Sequence, residues 1–84
     1  MRMPQNIVGP QIRKLRYERG WTQEEFAAQL QRLRWDISRQ TLSKIEARLR
    51  CVSDEELPLL ARALRVSIDK LYPAKTLHRD PSVT

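Results

Sequence analysis

Two helix start signals follow one another in the middle of the chain, and they constrain the fold more than any other feature. Thr22 and Glu25 have the spacing of a capping box, in which each side chain bonds to the backbone of the other residue. Ser38 is a favoured N-cap residue. After each signal apolar residues recur at intervals of three or four, and they are Phe26, Leu30, Leu33 and Ile37, then Leu42, Ile45 and Leu49. The sequence therefore predicts a helix from about 23 to 34 and another over 39–47.

Three further helices are predicted from residues that start and stop helices. These markers are Pro10 and Gly20 for a helix over 10–19, Ser53 and Glu56 for one that continues through Leu57, Leu60, Ala61 and Leu64, and Ser67 and Pro73 for a short one over 68–71. Pro58 requires an irregular first turn in the second of these. No alternating run of β-branched residues predicts a strand. We therefore expect an all-α fold, a compact domain of five helices.

Length and composition limit the chain to one small domain. Its 84 residues suffice for a modest core over 9–72, with an N-terminal arm over 1–8 and a flexible tail over 73–84. One cysteine, Cys51, and one histidine, His78, cannot make an internal disulfide or a closed zinc site. No nucleophile is placed beside a base, so we expect neither catalysis nor a cofactor. Without a secretory signal or a run long enough to cross a bilayer, we expect a cytoplasmic protein.

The basic residues are unevenly distributed. The chain carries 16 Lys and Arg against 10 Asp and Glu, a formal net charge of +6. Two groups of bases stand out, and they are Arg32, Arg34, Arg39, Lys44, Arg48 and Arg50, and Arg13, Lys14, Arg16 and Arg19; the acids among them are Asp36, Glu46 and Glu18. Such one-sided charge attracts a polyanion through steering and counterion release. A solvated surface with spare arginines explains the same pattern, so charge alone leaves both interpretations open.

On a helical wheel, the helix predicted over 39–47 has an apolar side and a polar side. The polar side holds Gln40, Ser43, Lys44 and Ala47, with Thr41 and Arg48 at one flank and Arg39 at the N-terminal tip. A helix of this size fits the major groove of DNA, where Gln and Arg read base edges bidentately and Ser bonds either way. The alternative is an ordinary exposed helix, but such a surface usually carries Glu–Lys pairs at four-residue spacing, and this polar side has no acid.

Gln23 is the first residue of the helix predicted over 23–34, where free backbone N–H groups and the helix dipole attract anions. Its neutral amide can donate a hydrogen bond to a phosphate without repelling it. The alternative is an ordinary first-turn residue within a capping motif.

Three segments carry a resemblance to a known family. They are Thr22-Gln23-Glu24-Glu25-Phe26-Ala27, then Ile37-Ser38-Arg39-Gln40-Thr41-Leu42-Ser43-Lys44-Ile45-Glu46, then Leu57, Leu60-Ala61, Leu64, Val66-Ser67 and Leu71. Together, over about residues 9–72, they resemble the lambda-repressor-like helix-turn-helix family. This is the Cro-repressor or xenobiotic-response-element type found in phage repressors and many bacterial regulators.

The resemblance implies roles for individual residues. The helix that begins at Arg39 is expected to be the recognition helix. The residues expected at the bases are Arg39, Gln40, Ser43 and Lys44, the last at bases or backbone. Gln23 is expected to bind a phosphate and support the recognition helix, and the small Ala27 to let the two helices approach closely. The residues expected at phosphates are Gln23, Arg34, Thr41, Arg48 and Arg50.

One departure from the family lies between the two central helices. The family turns there through a Gly, and this chain has six residues in its place, Gln31 to Asp36. Because the apolar stripe continues to Ile37, we expect a lengthened second helix. Trp35 lies in the added piece and is expected to serve packing or oligomerisation.

We therefore expect a small bacterial or phage transcription regulator, a repressor, that binds double-stranded DNA in the nucleoid as a two-fold homodimer. The predicted dimer contacts are Trp35, Ile68, Leu71 and Tyr72. The alternative is an antitoxin-like module that masks a partner protein and binds DNA secondarily, for which Trp35 and the tail over 75–84 would serve. RNA binding lacks the aromatic platform that recognition of single strands needs.

Overall fold

The computed structural model describes residues 7–73, and within that range the chain is helical without strands. The elements are α1 (Gly9–Glu18), α2 (Gln23–Arg32), α3 (Arg39–Glu46), α4 (Glu56–Leu64) and a 3₁₀ helix (Ile68–Leu71). The all-α prediction is therefore confirmed for the described residues. The count of five helices is not confirmed, because the last element is a single 3₁₀ turn. Most of the predicted arm over 1–8 and of the predicted tail over 73–84, including His78, lies outside the described residues.

The core is formed by one apolar stripe from each α-helix. Its largest fully buried side chains are Ile12, Phe26, Leu30, Leu42, Ile45, Leu60, Leu64 and Leu71. Helix α3 packs against both α1 and α2, while α4 packs against α1, α2 and the 3₁₀ helix. Ala27 is buried on α2, as expected for a small residue at a helix contact. The inner side of α3 is thus covered by α1 and α2.

The helix starts form as the sequence predicts. The Thr22 hydroxyl accepts from the Glu25 N–H at 3.0 Å, and the Glu25 carboxylate accepts from the Thr22 N–H at 2.8 Å. The Ser38 hydroxyl accepts from the Thr41 N–H at 3.1 Å. Ser67 is an exception, because its hydroxyl bonds to the Asp69 carboxylate and does not cap a backbone N–H. Capping contacts within three residues are therefore readable from the sequence.

The start of α4 is displaced towards Pro58. The Ser53–Glu56 capping box forms, with hydrogen bonds of 3.2 and 3.1 Å, but the two residues between them make a turn. The helix begins at Glu56, so Pro58 is its third residue. The N–H groups of a first helical turn have no partner within the helix, and a proline there forfeits no hydrogen bond.

Every α-helix ends in the same hydrogen-bonding pattern. The first or second residue after the helix takes a left-handed backbone, and the residue that follows it donates its N–H to a carbonyl five residues earlier. The left-handed residues are Gly20, Arg34, Arg48 and Arg65, with φ of 73°, 72°, 64° and 62°, and the donors that follow them are Trp21, Trp35, Leu49 and Val66. Three arginines thus occupy a position that normally favours glycine.

Two predictions about the central helices are wrong for this reason. Helix α2 ends at Arg32 instead of running on towards Ile37, because the chain reverses at Arg34. Ile37 still reaches the core, but from the irregular connector over 33–38. Leu49 was expected on the buried side of α3; the reversal at Arg48 places it outside the helix, and it is 75% exposed.

Replacing the arginine that ends α4 should stabilise the fold. A left-handed backbone costs an ordinary residue about 1–2 kcal/mol, whereas glycine loses only about 0.5–1 kcal/mol of extra chain entropy. Arg65→Gly should therefore raise the free energy of unfolding by about 0.5–1 kcal/mol, as measured by urea unfolding followed by tryptophan fluorescence.

Arg62→Gly is the matched control, because the same substitution is made inside the same helix on an exposed residue. It should lower the free energy of unfolding by about 1 kcal/mol. A loss of stability in Arg65→Gly of the same size would contradict the role given to this backbone position.

Candidate functional site

A buried ion pair joins α1 to α3. Arg16 Nε lies 2.7 Å from Glu46 Oε2 and Arg16 Nη2 lies 3.0 Å from Glu46 Oε1, and the two side chains are only 6% and 3% exposed. Arg16 Nη1 also donates to the Trp21 carbonyl at 2.8 Å. The hydrogen bonds to Glu46 raise the pKa of Arg16 further above its ordinary value. Arg16 therefore remains charged, and these hydrogen bonds hold its side chain against Glu46.

Gln23 links α2 to the same pair. Its amide Nε2 donates to Glu46 Oε1 at 3.1 Å, so the glutamate accepts hydrogen bonds from two other helices. The added connector between α2 and α3 does not break this contact. Since an amide nitrogen carries two hydrogens, the half-buried Gln23 keeps a second donor. Gln23 thus supports α3, as the resemblance implies.

The buried pair changes the charge pattern inferred from the sequence. Arg16 and Glu46 neutralise each other inside the fold, and Arg19 donates to the Leu64 carbonyl at the end of α4. Two bases of the N-terminal group, Arg16 and Arg19, therefore already bond to other parts of the fold. The removal of Glu46 from the surface leaves the outer side of α3 without an acid of its own.

The polar side of α3 faces outwards. Arg39, Gln40 and Lys44 are exposed, and Ser43 is half-buried. On the opposite side Leu42 and Ile45 have no exposed surface. The wheel assignment is confirmed for these residues, because each lies on the side where the helical period puts it.

Arg39 has an exposed acidic neighbour on α2. Its Nε lies 3.8 Å from Glu24 Oε2, and both side chains are largely accessible to solvent. Exposed pairs of this kind contribute only about 0–1 kcal/mol. A stronger acceptor could therefore take Arg39 from Glu24 at little cost.

The residues expected at phosphates differ in exposure and in the partners they already have. Arg34 is exposed and Arg48 half-buried, each at a left-handed turn that flanks α3. Thr41 accepts a hydrogen bond from the Ser38 hydroxyl at 3.2 Å. Arg50 is held by Glu56 through bonds of 3.0 and 2.9 Å, an interaction that the sequence did not indicate.

The residues expected at a dimer interface separate into two groups. Leu71 is fully buried in the core and has no exposed surface for a second subunit, so that assignment is wrong. Its burial follows from the contact between the 3₁₀ helix and α4. Ile68 is exposed, whereas Trp35 and Tyr72 are half-buried and packed against the core.

Two residues of α1, which the helical wheel of α3 could not include, border the polar side of α3. Arg13 and Tyr17 line a cleft of about 400 Å³ together with Ser43 of α3 and Ala47, the residue after α3, among others. Tyr17 also borders a second cleft, together with Gln23 and Arg39, among others. The four-residue spacing of Arg13 and Tyr17 puts both on one side of α1, but no sequence pattern shows that this side adjoins α3.

Other kinds of site find little support in the described residues. Among residues 7–73, no group of three or more His, Cys, Asp and Glu side chains is arranged to hold a metal ion. No helix in that range has the length and apolar character that crossing a membrane requires. Cys51 is an exposed free cysteine.

Comparison with known proteins gave one finding. A family model described as helix-turn-helix matches residues 12–71, a range that includes α2, α3, α4 and the 3₁₀ helix. The matched range also contains the Arg16–Glu46 pair and Gln23. Searches of curated proteins and of solved structures returned no match.

The buried pair should show strong coupling. Glu46→Leu leaves the Arg16 charge buried without its partner and should lower the free energy of unfolding by about 3–5 kcal/mol. Arg16→Met combined with Glu46→Leu removes both charges and should recover most of that loss. Urea unfolding of the two variants and of Arg16→Met alone completes the cycle, and additive effects would contradict a coupled pair.

The Arg50–Glu56 pair should make stability depend on pH. The hydrogen bonds from Arg50 lower the pKa of Glu56 below its ordinary value. The folded state thus gains stability above the ordinary glutamate pKa, and loses it as the pH falls through the lowered one. Glu56→Gln keeps a side chain suited to the capping box but cannot titrate.

The free energy of unfolding should therefore fall less steeply between neutral and acidic pH in Glu56→Gln than in the unaltered protein. Arg50→Gln should flatten the profile in the same way, because it removes the group that lowers the pKa. If all three profiles have the same slope, the pair does not contribute to acid sensitivity.

Proposed function

This chain belongs to the lambda-repressor-like helix-turn-helix family, and from that membership we propose that it is a transcription regulator that reads a specific sequence of double-stranded DNA with α3. The family match indicates a DNA-binding regulator. The identity of the recognition surface, the dimeric state and repression are parts of our proposal.

One observation carries the proposal: the polar side of α3 is open while its other side is locked onto α1 and α2. Arg39, Gln40 and Lys44 are exposed, and the buried Glu46 on the same helix is held by Arg16 and Gln23. An α-helix is about 10–12 Å across with its side chains, and the major groove is about 12 Å wide. A helix held in this way, with exposed polar side chains, is suited to that groove.

The side chains of this surface match the chemistry of base edges. Gln40 can bond bidentately to adenine, and Arg39 to guanine once it leaves Glu24. Ser43 can donate or accept, and Lys44 can reach a base or the adjacent backbone. These four contacts would specify the sequence, because their hydrogen-bonding patterns differ from base to base.

Backbone contacts would position α3 without specifying sequence. We assign them to Gln23, Arg34, Thr41, Arg48 and Arg50; the resemblance implies this role for Gln23, Arg48 and Arg50. The second amide hydrogen of Gln23 lies at the N-terminus of α2, where the helix dipole favours an anion. Arg50 contributes least, since the Glu56 carboxylate already neutralises it.

One recognition helix offers few base contacts, so we propose a homodimer that binds a palindromic site. Ile68, Trp35 and Tyr72 remain the proposed contacts between subunits. We propose that occupancy of such a site near a promoter represses transcription and that the protein acts on the nucleoid in the cytoplasm.

Selection of bound duplexes from a random pool, followed by sequencing, tests the proposal directly. A palindromic consensus is expected. Gln40→Ala should then make the binding free energy for the selected duplex less favourable by about 1–3 kcal/mol and relax the preference at one base pair of each half-site.

Arg34→Gly is the matched backbone variant, because it removes a charge and suits the left-handed turn. It should weaken all duplexes alike and reduce the salt slope of log K by about 1. If Gln40→Ala also lowers the affinity for every DNA sequence by the same factor, α3 does not read bases. A stoichiometric protein partner without duplex affinity would favour the antitoxin-like alternative.

A further inference from the structure

Tyr17 lies beside the recognition surface that we propose. It borders the cleft formed with Ser43 and Ala47, and it also borders the cleft that reaches Gln23 and Arg39. Its side of α1 therefore follows the flank of α3, from the N-terminal tip to the last turn. Tyr17 is 58% exposed, so a ligand against α3 could reach it.

The ring of Tyr17 rests on a fixed platform. The Arg16 guanidinium carbon lies 4.7 Å from the ring centroid, within the range of a cation–π contact. Arg16 itself is immobilised by Glu46 and by the Trp21 carbonyl. The buried ion pair thus fixes the cation beside the exposed Tyr17 ring, and this contact favours the orientation in which the ring lies against Arg16.

The hydroxyl oxygen of Tyr17 accepts hydrogen bonds from Arg13. Arg13 Nη2 and Nε lie 3.3 and 3.4 Å from the phenolic oxygen and donate to it. These bonds use oxygen lone pairs and leave the hydroxyl hydrogen for an acceptor. The same bonds lower the pKa of Tyr17, which makes its hydroxyl a stronger donor.

We infer that Arg13 and Tyr17 bind one phosphate of the DNA backbone next to α3, with the Tyr17 hydroxyl donating to a phosphate oxygen and the Arg13 guanidinium supplying positive charge. The inference rests on the proposed DNA binding and adds a contact from α1. A donor and a cation at the flank of a groove-bound helix face the groove wall, which consists of phosphates. Neither side chain offers a pattern that distinguishes one base from another in that position.

The test compares three variants on the selected duplex and on a random duplex of equal length, each over a series of salt concentrations. Tyr17→Phe removes only the hydroxyl and retains the ring over Arg16. Arg13→Gln removes the charge. Arg62→Gln is the control, since it removes an exposed charge of α4 that borders neither cleft.

Tyr17→Phe should bind both duplexes about tenfold more weakly, as expected for the loss of a hydrogen bond to a charged group, with an unchanged salt slope. Arg13→Gln should weaken binding to both duplexes and reduce the slope of log K against log salt concentration by about 0.9. Arg62→Gln should stay within about twofold of the unaltered protein, because salt screens a distant charge. The unfolding midpoint of Tyr17→Phe should change little, since the hydrogen bonds between its hydroxyl and Arg13 are long and exposed to solvent.

Ethylation interference locates the contact. Ethylation of one particular phosphate in each half-site should weaken binding of the unaltered protein. Ethylation of the same phosphate should not weaken binding of Tyr17→Phe further. Wild-type affinity of Tyr17→Phe for both duplexes, or a loss confined to the selected duplex, would overturn the inference. If Gln40→Ala still shows its selective loss, the proposed function survives that result; if the unaltered protein binds no duplex, both proposals fail.

Discussion

The fold and the recognition surface that we propose both depend on the ion pair between Arg16 and Glu46. Burial of two charges is costly, and it is compensated only when the geometry is good and the remaining acceptor sites are filled. Here the Glu46 carboxylate accepts two bonds from α1 and one from Gln23 on α2. A single carboxylate therefore fixes α3 relative to two other helices. The outer side of α3 is rigid because its inner side contains this contact.

The sequence predicted the helix starts well and the helix ends poorly, and the difference has a physical cause. A capping box involves residues three positions apart, so Thr22 and Glu25 show it directly. An end is normally signalled by glycine in the left-handed conformation, and Gly20 gave that signal. Arg34 and Arg48 adopt the same conformation without the usual residue type. Predictions based on the apolar stripe alone therefore made α2 too long and wrongly placed Leu49 on the buried side of α3.

The site was predictable only where the evidence was local. The helical period placed Gln40 and Lys44 outside because both belong to one short element. The Arg16–Glu46 contact spans 30 positions and depends on how α1 crosses α3, which no spacing reveals. The position of Tyr17 beside α3 follows from that crossing. Leu71 was misassigned to a surface because a four-residue segment has too short a pattern to identify its buried side.

Three arginine–glutamate pairs differ in how readily a DNA ligand could break them. They are Arg16–Glu46, Arg50–Glu56 and Arg39–Glu24, at 2.7, 2.9 and 3.8 Å, in order of increasing exposure. The first is enclosed, so removing either partner leaves an uncompensated charge inside the fold. The second also closes the start of α4 through the Ser53 N–H, which a phosphate could not replace. Only the third can exchange its carboxylate for an external acceptor without disturbing a helix. It belongs to Arg39, at the N-terminal tip of α3, one of the residues that we propose for reading bases.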